Sequence, residues 1–170
     1  MQATLTAPAE ATTDAQGTRA SPRAQRILVV EDDGAVRRLN MEVLICSGYR
    51  VDAAVDGAAG WDAISANRYD LMITDNCMPK LTGLELLRKL RSGRVVLPVI
   101  LATGALPAHE FAESPWLIPD ATLLKPYTIS ELLATVQAVL SASESDRDSL
   151  PVTPGPNGSN PHATSGAEVR

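Results

Sequence analysis

Four short apolar runs in the middle of the chain each end in residues that could do chemistry. The polar residues that follow these runs are, in chain order, Glu31, Asp32, Asp33, Asp75, Thr103 and Lys125. Carboxylates gathered in one place repel one another and raise each other's pKa unless a cation lies among them. Oxygen ligands suit a hard, partly hydrated cation such as Mg²⁺. A lysine and a hydroxyl beside that cation suit a phosphoryl group, whose charge spreads over three oxygens.

These residues can meet only if the apolar runs are strands of one sheet. Continuous apolar runs are typical of parallel strands that are buried on both faces. Here they alternate with segments whose apolar residues recur at helical spacing, which predicts five βα units with helices on both faces of the sheet. In such sheets, sites form at the carboxyl ends of the strands, where the strand order switches.

The apolar spacing also predicts where the elements lie. Strands are expected at 26–30, 51–54, 71–74, 95–102 and 123–124. Helices are expected at 58–66, 84–90 and 129–140, and a first helix is expected between the first two strands, ended by Gly48. The stripe Val36, Leu39, Val43 and Leu44 is expected to face the core from the first helix, and Thr128 or Ser130 to cap the last. Three prolines between 107 and 119 permit only a short fourth helix, from about Ala108 to Glu113.

Composition divides the 170 residues into one domain and two tails. Residues 1–24 are rich in Ala, Thr and Pro, and residues 144–170 in Ser, Pro, Gly and Asn, so both are expected to be disordered around a domain at 25–143. The tails are too short for a second domain, which predicts a stand-alone protein. The net charge of −5 without a basic run argues against nucleic-acid binding.

Nothing in the sequence points to a membrane or an oxidising compartment. No apolar stretch is long enough to span a bilayer, and the N-terminus lacks the pattern of a signal peptide. Cys46 and Cys77 are too few for a disulfide framework. We therefore expect a cytoplasmic protein with free thiols and no membrane partner.

Four segments together resemble those of bacterial response-regulator receiver domains. They are VVEDDGAVRR, ITDNCMPKLTGLELL, LPVILATG and LLKP, and their order and spacing agree with that family over residues 25 to 142. The resemblance implies the flavodoxin-like fold, a doubly wound five-stranded parallel sheet in the order 2-1-3-4-5.

The resemblance also assigns a role to each site residue. Asp75 matches the phosphoacceptor, and Glu31 and Asp32 match the acidic pair that holds Mg²⁺. Cys77 falls where the family supplies a backbone carbonyl to the metal. Thr103 matches the hydroxyl that closes on the phosphoryl group. Lys125 matches the lysine that contacts the phosphate, and the bond from it to Pro126 is often cis in this family.

The function implied is a switch rather than an enzyme, with at most its own phosphorylation and dephosphorylation catalysed. Asp75 would take a phosphoryl group from a histidine kinase or a histidine phosphotransfer protein. A population shift would follow and regulate a downstream protein or relay the phosphate. A phosphorylation-independent binding module of the same fold is the alternative. A phosphohydrolase is less favoured, because Cys77 stands where such enzymes place a second acid.

Several residues depart from the family pattern or have ordinary interpretations. Receivers often carry an aromatic residue three positions before the lysine, where this chain has Thr122. Cys77 and Ala105 stand where the family tunes phosphate lifetime, and neither orients water, which predicts slow hydrolysis. Asp33 is expected to cap the first helix or to stay solvated rather than join the acidic cluster. Asp52 and Asp56 are expected to be solvated, and a redox role for the Cys77 thiol is disfavoured by its acidic neighbours.

Overall fold

A computed structural model describes residues 24–148, which form five βα units. The elements are β1 (Arg26–Val30), α1 (Gly34–Cys46), β2 (Arg50–Ala54), α2 (Gly57–Ala66), β3 (Leu71–Asp75), α3 (Gly83–Ser92), β4 (Val99–Thr103), α4 (Ala108–Glu113), a 3₁₀ turn (Pro115–Leu117), β5 (Ala121–Leu124) and α5 (Ile129–Asp148). The predicted N-terminal tail lies almost wholly outside these residues. Among residues 24–148, no helix combines the length and apolar character needed to cross a membrane.

The strands form one parallel sheet in the order β2-β1-β3-β4-β5, so the predicted flavodoxin-like fold is confirmed. The pairing places Val30 of β1 beside Thr74 of β3, and Asp75 of β3 beside Ala102 of β4. The strand order reverses between β1 and β3, and the ends of these two strands therefore form the crevice in which the chain can bind a ligand.

A separate apolar core lies on each face of the sheet. Alternate strand residues point to opposite faces, so Ile27, Val29 and Ile73 pack with α1 and α5, whereas Leu28 and Met72 pack with α2 and α3. The central strands β3 and β4 are buried along their whole length. This two-sided burial explains their uninterrupted apolar sequences and fixes the edge at which the polar residues emerge.

The first helix differs from its prediction on the buried face. Leu44 is buried as expected, but Leu39 is 51% exposed and Asn40 takes the inward position. Asn40 can be buried because its side-chain amide donates to the hydroxyl of Tyr127 at 3.0 Å. Apolar spacing cannot identify this arrangement, since the partner lies 87 positions away in the sequence.

Two other helical predictions have different outcomes. The short fourth helix runs from Ala108 to Glu113, as predicted from the prolines. The last helix continues to Asp148, so residues 144–148, assigned by composition to the C-terminal tail, are helical. The Gln25 amide donates to Glu144, and the Ser143 hydroxyl bonds back to the carbonyl of Val139. One long-range bond and one local bond therefore support a polar helical end that composition assigns to a tail.

Asp56 is buried and Asp52 is paired although its side chain is 38% exposed, which corrects the prediction that both are simply solvated. Asp52 pairs with Arg26 and accepts a hydrogen bond from the hydroxyl of Tyr69. Desolvation, followed by that bond to a carboxylate, raises the pKa of Tyr69 to about 12. Asp56 is 4% exposed, caps α2 and pairs with Lys80. Both carboxylates have partners that only the tertiary fold brings near.

We expect a pH-dependent contribution from the cap of α5. Glu131 accepts from the backbone amide and hydroxyl of Thr128, and these bonds hold the pKa of Glu131 below its ordinary 4.5. A lowered carboxyl pKa contributes stability above the unfolded pKa, and this contribution is lost as the pH falls through the folded pKa. Wild type should therefore exceed Glu131→Gln in stability at neutral pH, with the difference shrinking in acid.

Denaturant midpoints of both proteins, measured from neutral pH down to about pH 3, check this expectation. Glu42→Gln on the exposed face of α1 is the matched control and should show a smaller difference. A wild-type advantage that stays constant down to the lowest pH would contradict the role of the charge.

Candidate functional site

The structure brings three of the predicted carboxylates together at the crevice. Glu31 and Asp32 follow β1, Asp75 ends β3, and one oxygen of each lies within 4.8 Å of the others. Glu31 and Asp75 are 3% and 6% exposed, whereas Asp32 faces solvent. Two of the three carboxylates are thus buried and the third is exposed, so a hydrated ion could reach the cluster from the side of Asp32.

Lys125 reaches this cluster from the loop after β5. Its ammonium nitrogen lies 3.0 Å from Oε2 of Glu31 and 3.1 Å from Oδ1 of Asp75. Burial disfavours the charged ammonium, but the hydrogen bonds and charges of the two carboxylates outweigh it and raise the pKa of Lys125. Lys125 is therefore a fixed cation at physiological pH, and the peptide bond from it to Pro126 is cis.

The charge of the cluster is not balanced by this lysine. Burial raises the pKa of Glu31, the hydrogen bond from Lys125 lowers it, and the neighbouring Asp75 raises it again, with a net upward result. Three carboxylates against one ammonium leave negative charge that a divalent ion would neutralise. All the side-chain donors are oxygens, and one edge is open to water, as suits Mg²⁺. The residues present therefore fit such an ion.

Asp33 is not part of the cluster. Its carboxylate accepts from the backbone amides of Ala35 and Val36 at 2.7 and 3.0 Å, and so caps α1. These bonds lower the pKa of Asp33, with the bond from Val36 contributing most. The expectation that Asp33 is a helix cap is confirmed.

Thr103 lies at the end of β4, one residue beyond the partner of Asp75. It is 2% exposed, and its hydroxyl donates to the carbonyl oxygen of Ala105 at 2.8 Å. Among the hydrogen bonds that the structure describes for residues 24–148, none joins this hydroxyl to Asp75. The hydroxyl is therefore near the crevice but held by the loop after β4.

The loop between β3 and α3, residues 76–82, passes beside the cluster. Cys77 lies in it with an exposed side chain, and Cys46 and Cys77 are both free thiols. The loop is fixed at its two ends: the amide of Asn76 donates to Ala102, and the side-chain oxygen of Asn76 accepts from the amide of Leu84. The position of the Cys77 backbone therefore depends on these anchoring bonds and not on contacts of its thiol.

Sequence reasoning did not identify Arg37, which holds the acidic loop, the segment after β1 that contains Glu31 and Asp32. Its guanidinium donates to the backbone carbonyls of Glu31 and Asp32 at 2.7 and 3.2 Å. Bonds to backbone leave no trace in the residue types of the partners, so no signal could have identified them. Arg37 holds the loop through main-chain oxygens and leaves the carboxylates free to bind other groups.

Thr122 stands on β5 opposite Leu101 of β4 and is partly buried. A threonine side chain has no ring that could swing between an outer and an inner position. The Thr103 hydroxyl instead contacts the loop after β4, where it donates to the carbonyl of Ala105.

Comparison with known proteins gives a consistent result. The family model described as response regulator receiver domain matches residues 27–137. Response regulator MprA of Mycobacterium avium (strain 104) is 38% identical over 130 residues, which cover 75% of this chain and 57% of MprA. MprA of Mycobacterium bovis (strain BCG / Pasteur 1173P2) is 40% identical over 68% of this chain and 50% of its own length. The chain thus spans about half the length of the curated relatives it matches.

Solved structures share the fold. A CheY-like response regulator receiver domain protein from Methanospirillum hungatei JF-1 has a TM-score of 0.68 and 28% identity, covering 72% of this chain and 98% of its own. Response regulator TrrA from Thermotoga maritima, in complex with Mg²⁺–BeF, has a TM-score of 0.60 and 31% identity, with 68% and 98% coverage.

Proposed function

The chain belongs to the response regulator receiver domain family, and from that premise we propose that it is a phosphorylatable switch with Asp75 as its phosphoacceptor. The observation that carries the proposal is the placement of the Asp75 carboxylate at a strand end, 3.1 Å from the ammonium of Lys125 and beside two further carboxylates. A nucleophile, a fixed cation and a metal-binding set within one crevice are the parts that phosphoryl transfer needs.

In the proposed reaction, an oxygen of Asp75 attacks the phosphorus of a phosphohistidine on a partner protein. The new O–P bond forms as the P–N bond breaks, and the electron pair of that bond leaves with the imidazole, which takes up a proton. Lys125 remains protonated, as its raised pKa requires, and turns from the carboxylate toward the phosphoryl oxygens. Burial of Asp75 keeps the acyl phosphate partly shielded from water.

Glu31, Asp32, Asp75 and the backbone carbonyl of Cys77 would hold Mg²⁺. When bound, the ion neutralises phosphoryl charge and favours an in-line arrangement of attacking and leaving atoms. Support comes from the uncompensated charge of the cluster and from TrrA, which was solved with Mg²⁺ and a fluoride complex of beryllium, a phosphoryl analogue in shape and charge.

The proposed switch begins at Thr103. Its hydroxyl would leave the carbonyl of Ala105 and donate to a phosphoryl oxygen, a stronger acceptor because it is charged. Release of Ala105 frees the loop between β4 and α4 to adopt a second packing, which is a population shift and not a new fold. The partners proposed are a histidine kinase or histidine phosphotransfer protein upstream and a regulated protein downstream.

Incubation with acetyl phosphate and Mg²⁺ tests the chemistry without a known kinase. We expect one phosphoryl adduct on the intact protein by mass spectrometry, removable by hydroxylamine because it is an acyl phosphate. Addition of EDTA in excess over Mg²⁺ should reduce the adduct to background, since phosphoryl charge would then face three carboxylates. A protein that takes up no phosphoryl group with Mg²⁺ present would instead favour the phosphorylation-independent binding module.

The adduct should also be long-lived. Cys77 and Ala105 offer no side chain that orients water for attack on phosphorus, so intrinsic hydrolysis is expected to take minutes rather than seconds. The decay of the adduct after removal of acetyl phosphate measures this lifetime. Ala105→Asn, which adds a polar group beside the site, should shorten it, and a wild-type lifetime of seconds would refute the expectation.

A further inference from the structure

The loop of residues 76–82 packs directly against the start of α2, outside the acidic cluster. A Cβ atom at Gly57, the first residue of α2, would lie 2.3 Å from the carbonyl oxygen of Leu81. Such a contact is closer than atoms can approach, so only glycine permits the loop backbone to touch the helix here. The loop that carries Cys77 is therefore supported by α2 as well as by its own ends.

Asp56 makes a second connection at the same place. One of its carboxylate oxygens accepts from the backbone amide of Ala59 at 2.8 Å and caps α2, and the other lies 2.5 Å from the ammonium of Lys80 in the loop. Asp56 is 4% exposed, whereas the Lys80 side chain is 69% exposed. A buried carboxylate at the N-terminus of α2 thus holds an exposed lysine side chain of the loop.

The backbone of Lys80 needs such a restraint. Its φ angle is 67°, in the left-handed region that residues with a Cβ atom rarely adopt. A bond to the Lys80 side chain therefore adds to the contacts that hold the loop in this conformation. The loop is anchored at Asn76 and Gly83 through backbone bonds. Within the described residues, the pair with Asp56 is the side-chain bond that the structure shows for Lys80.

We propose that Asp56 is a positioning residue for the metal site: by holding Lys80, it fixes the 76–82 loop and with it the backbone carbonyl of Cys77 beside the acidic cluster. This role rests on the proposed function, because it presumes that the cluster binds Mg²⁺. It assigns to Asp56 a task beyond capping, since the cap uses one oxygen and the loop uses the other.

The test compares Mg²⁺ affinities of wild type, Asp56→Asn, Lys80→Gln and the double variant by titration calorimetry. Asparagine keeps an oxygen for the α2 cap, so the helix should survive. Charge alone makes opposite predictions for the single variants: loss of Lys80 removes a cation and should tighten Mg²⁺ binding, loss of Asp56 should weaken it, and the double variant should return to the wild-type value.

Positioning gives a different pattern. Each single variant should bind Mg²⁺ roughly tenfold more weakly than wild type, and the double variant should be no weaker than either. Lys89→Gln, which removes a lysine of α3 lying over the ring of Trp61 of α2, is the control and should bind nearly as wild type. Amide hydrogen exchange without metal should be faster at 77–82 in both single variants.

Two results are decisive against the proposal. If wild type binds Mg²⁺ and Lys80→Gln binds it equally or more tightly, Asp56 acts only through its charge or as a helix cap. This result overturns the positioning role and leaves the proposed metal site standing. If wild type binds no Mg²⁺, the proposed function of the cluster fails and the positioning role fails with it. Melting temperatures of all variants establish that the compared proteins are folded.

Discussion

Asp75→Asn is expected to take up no phosphoryl group from acetyl phosphate under conditions that modify wild type fully. An amide oxygen carries no full negative charge and is a poor nucleophile. Within the described residues, Asp75 is the carboxylate at a strand end that lies beside Lys125 and the proposed metal-binding pair of Glu31 and Asp32. The substitution preserves shape, and Glu31 still pairs with Lys125 at 3.0 Å, so the domain should remain folded. Mass spectrometry of the intact protein measures the loss.

Asp33→Asn is the matched control for this experiment. It makes the same chemical change in the adjacent acidic run, and the asparagine oxygen can still accept from the amides of Ala35 and Val36. We therefore expect near-normal phosphoryl uptake. An adduct that persists in Asp75→Asn would show that another residue is the acceptor and would end the proposal for Asp75.

Gly83→Ala is expected to destabilise the domain by about 2–3 kcal/mol, as overpacking of a closed site does. The added Cβ would lie 2.2 Å from the carbonyl oxygen of Asp75 and 3.0 Å from a methyl carbon of Leu101. Neither the central strand β3 nor the buried Leu101 can retreat without disturbing the core. The melting temperature should fall by roughly 10 °C.

Gly34→Ala serves as the comparison, because it also lies at the first position of a helix. The nearest atom to its added Cβ is the Arg37 guanidinium at 3.6 Å, an ordinary contact with a flexible side chain. Its stability should equal or slightly exceed that of wild type, since alanine favours helices. Equal melting temperatures for the two variants would mean that α3 shifts freely away from Asp75.

The sequence is sufficient to predict the features that depend on local residue patterns. The apolar runs of β1, β3 and β4 identify a parallel sheet because both faces are buried, and the prolines around α4 limit it to Ala108–Glu113. The partners of buried polar groups are not local. Asp52 finds Arg26 and Tyr69, and Asp56 finds Lys80, across distances that no spacing rule covers.

The same distinction holds at the site. Strand ends predicted that Glu31, Asp32 and Asp75 meet, because every parallel strand delivers its last residue to one edge. The Thr103 hydroxyl donates to the carbonyl of Ala105, and the Arg37 guanidinium donates to the carbonyl of Glu31. Both bonds depend on backbone carbonyls as acceptors. Every residue carries a carbonyl, so residue type could not identify these acceptors.

The pairing of β3 with β4 separates the site into a part that is held in the sheet and a part that lies in the loop after β4. The hydrogen-bond ladder continues past Asp75, since the amide of Asn76 donates to the carbonyl of Ala102 at 2.9 Å, while the exposed residues Gly104 to Leu106 have left the sheet. The position of the Asp75 carboxylate is thereby fixed by the sheet and does not depend on the loop after β4. Under the proposed function, substitutions between 104 and 106 can then change the phosphate lifetime or the response of the loop without displacing the Asp75 carboxylate that would receive the phosphoryl group.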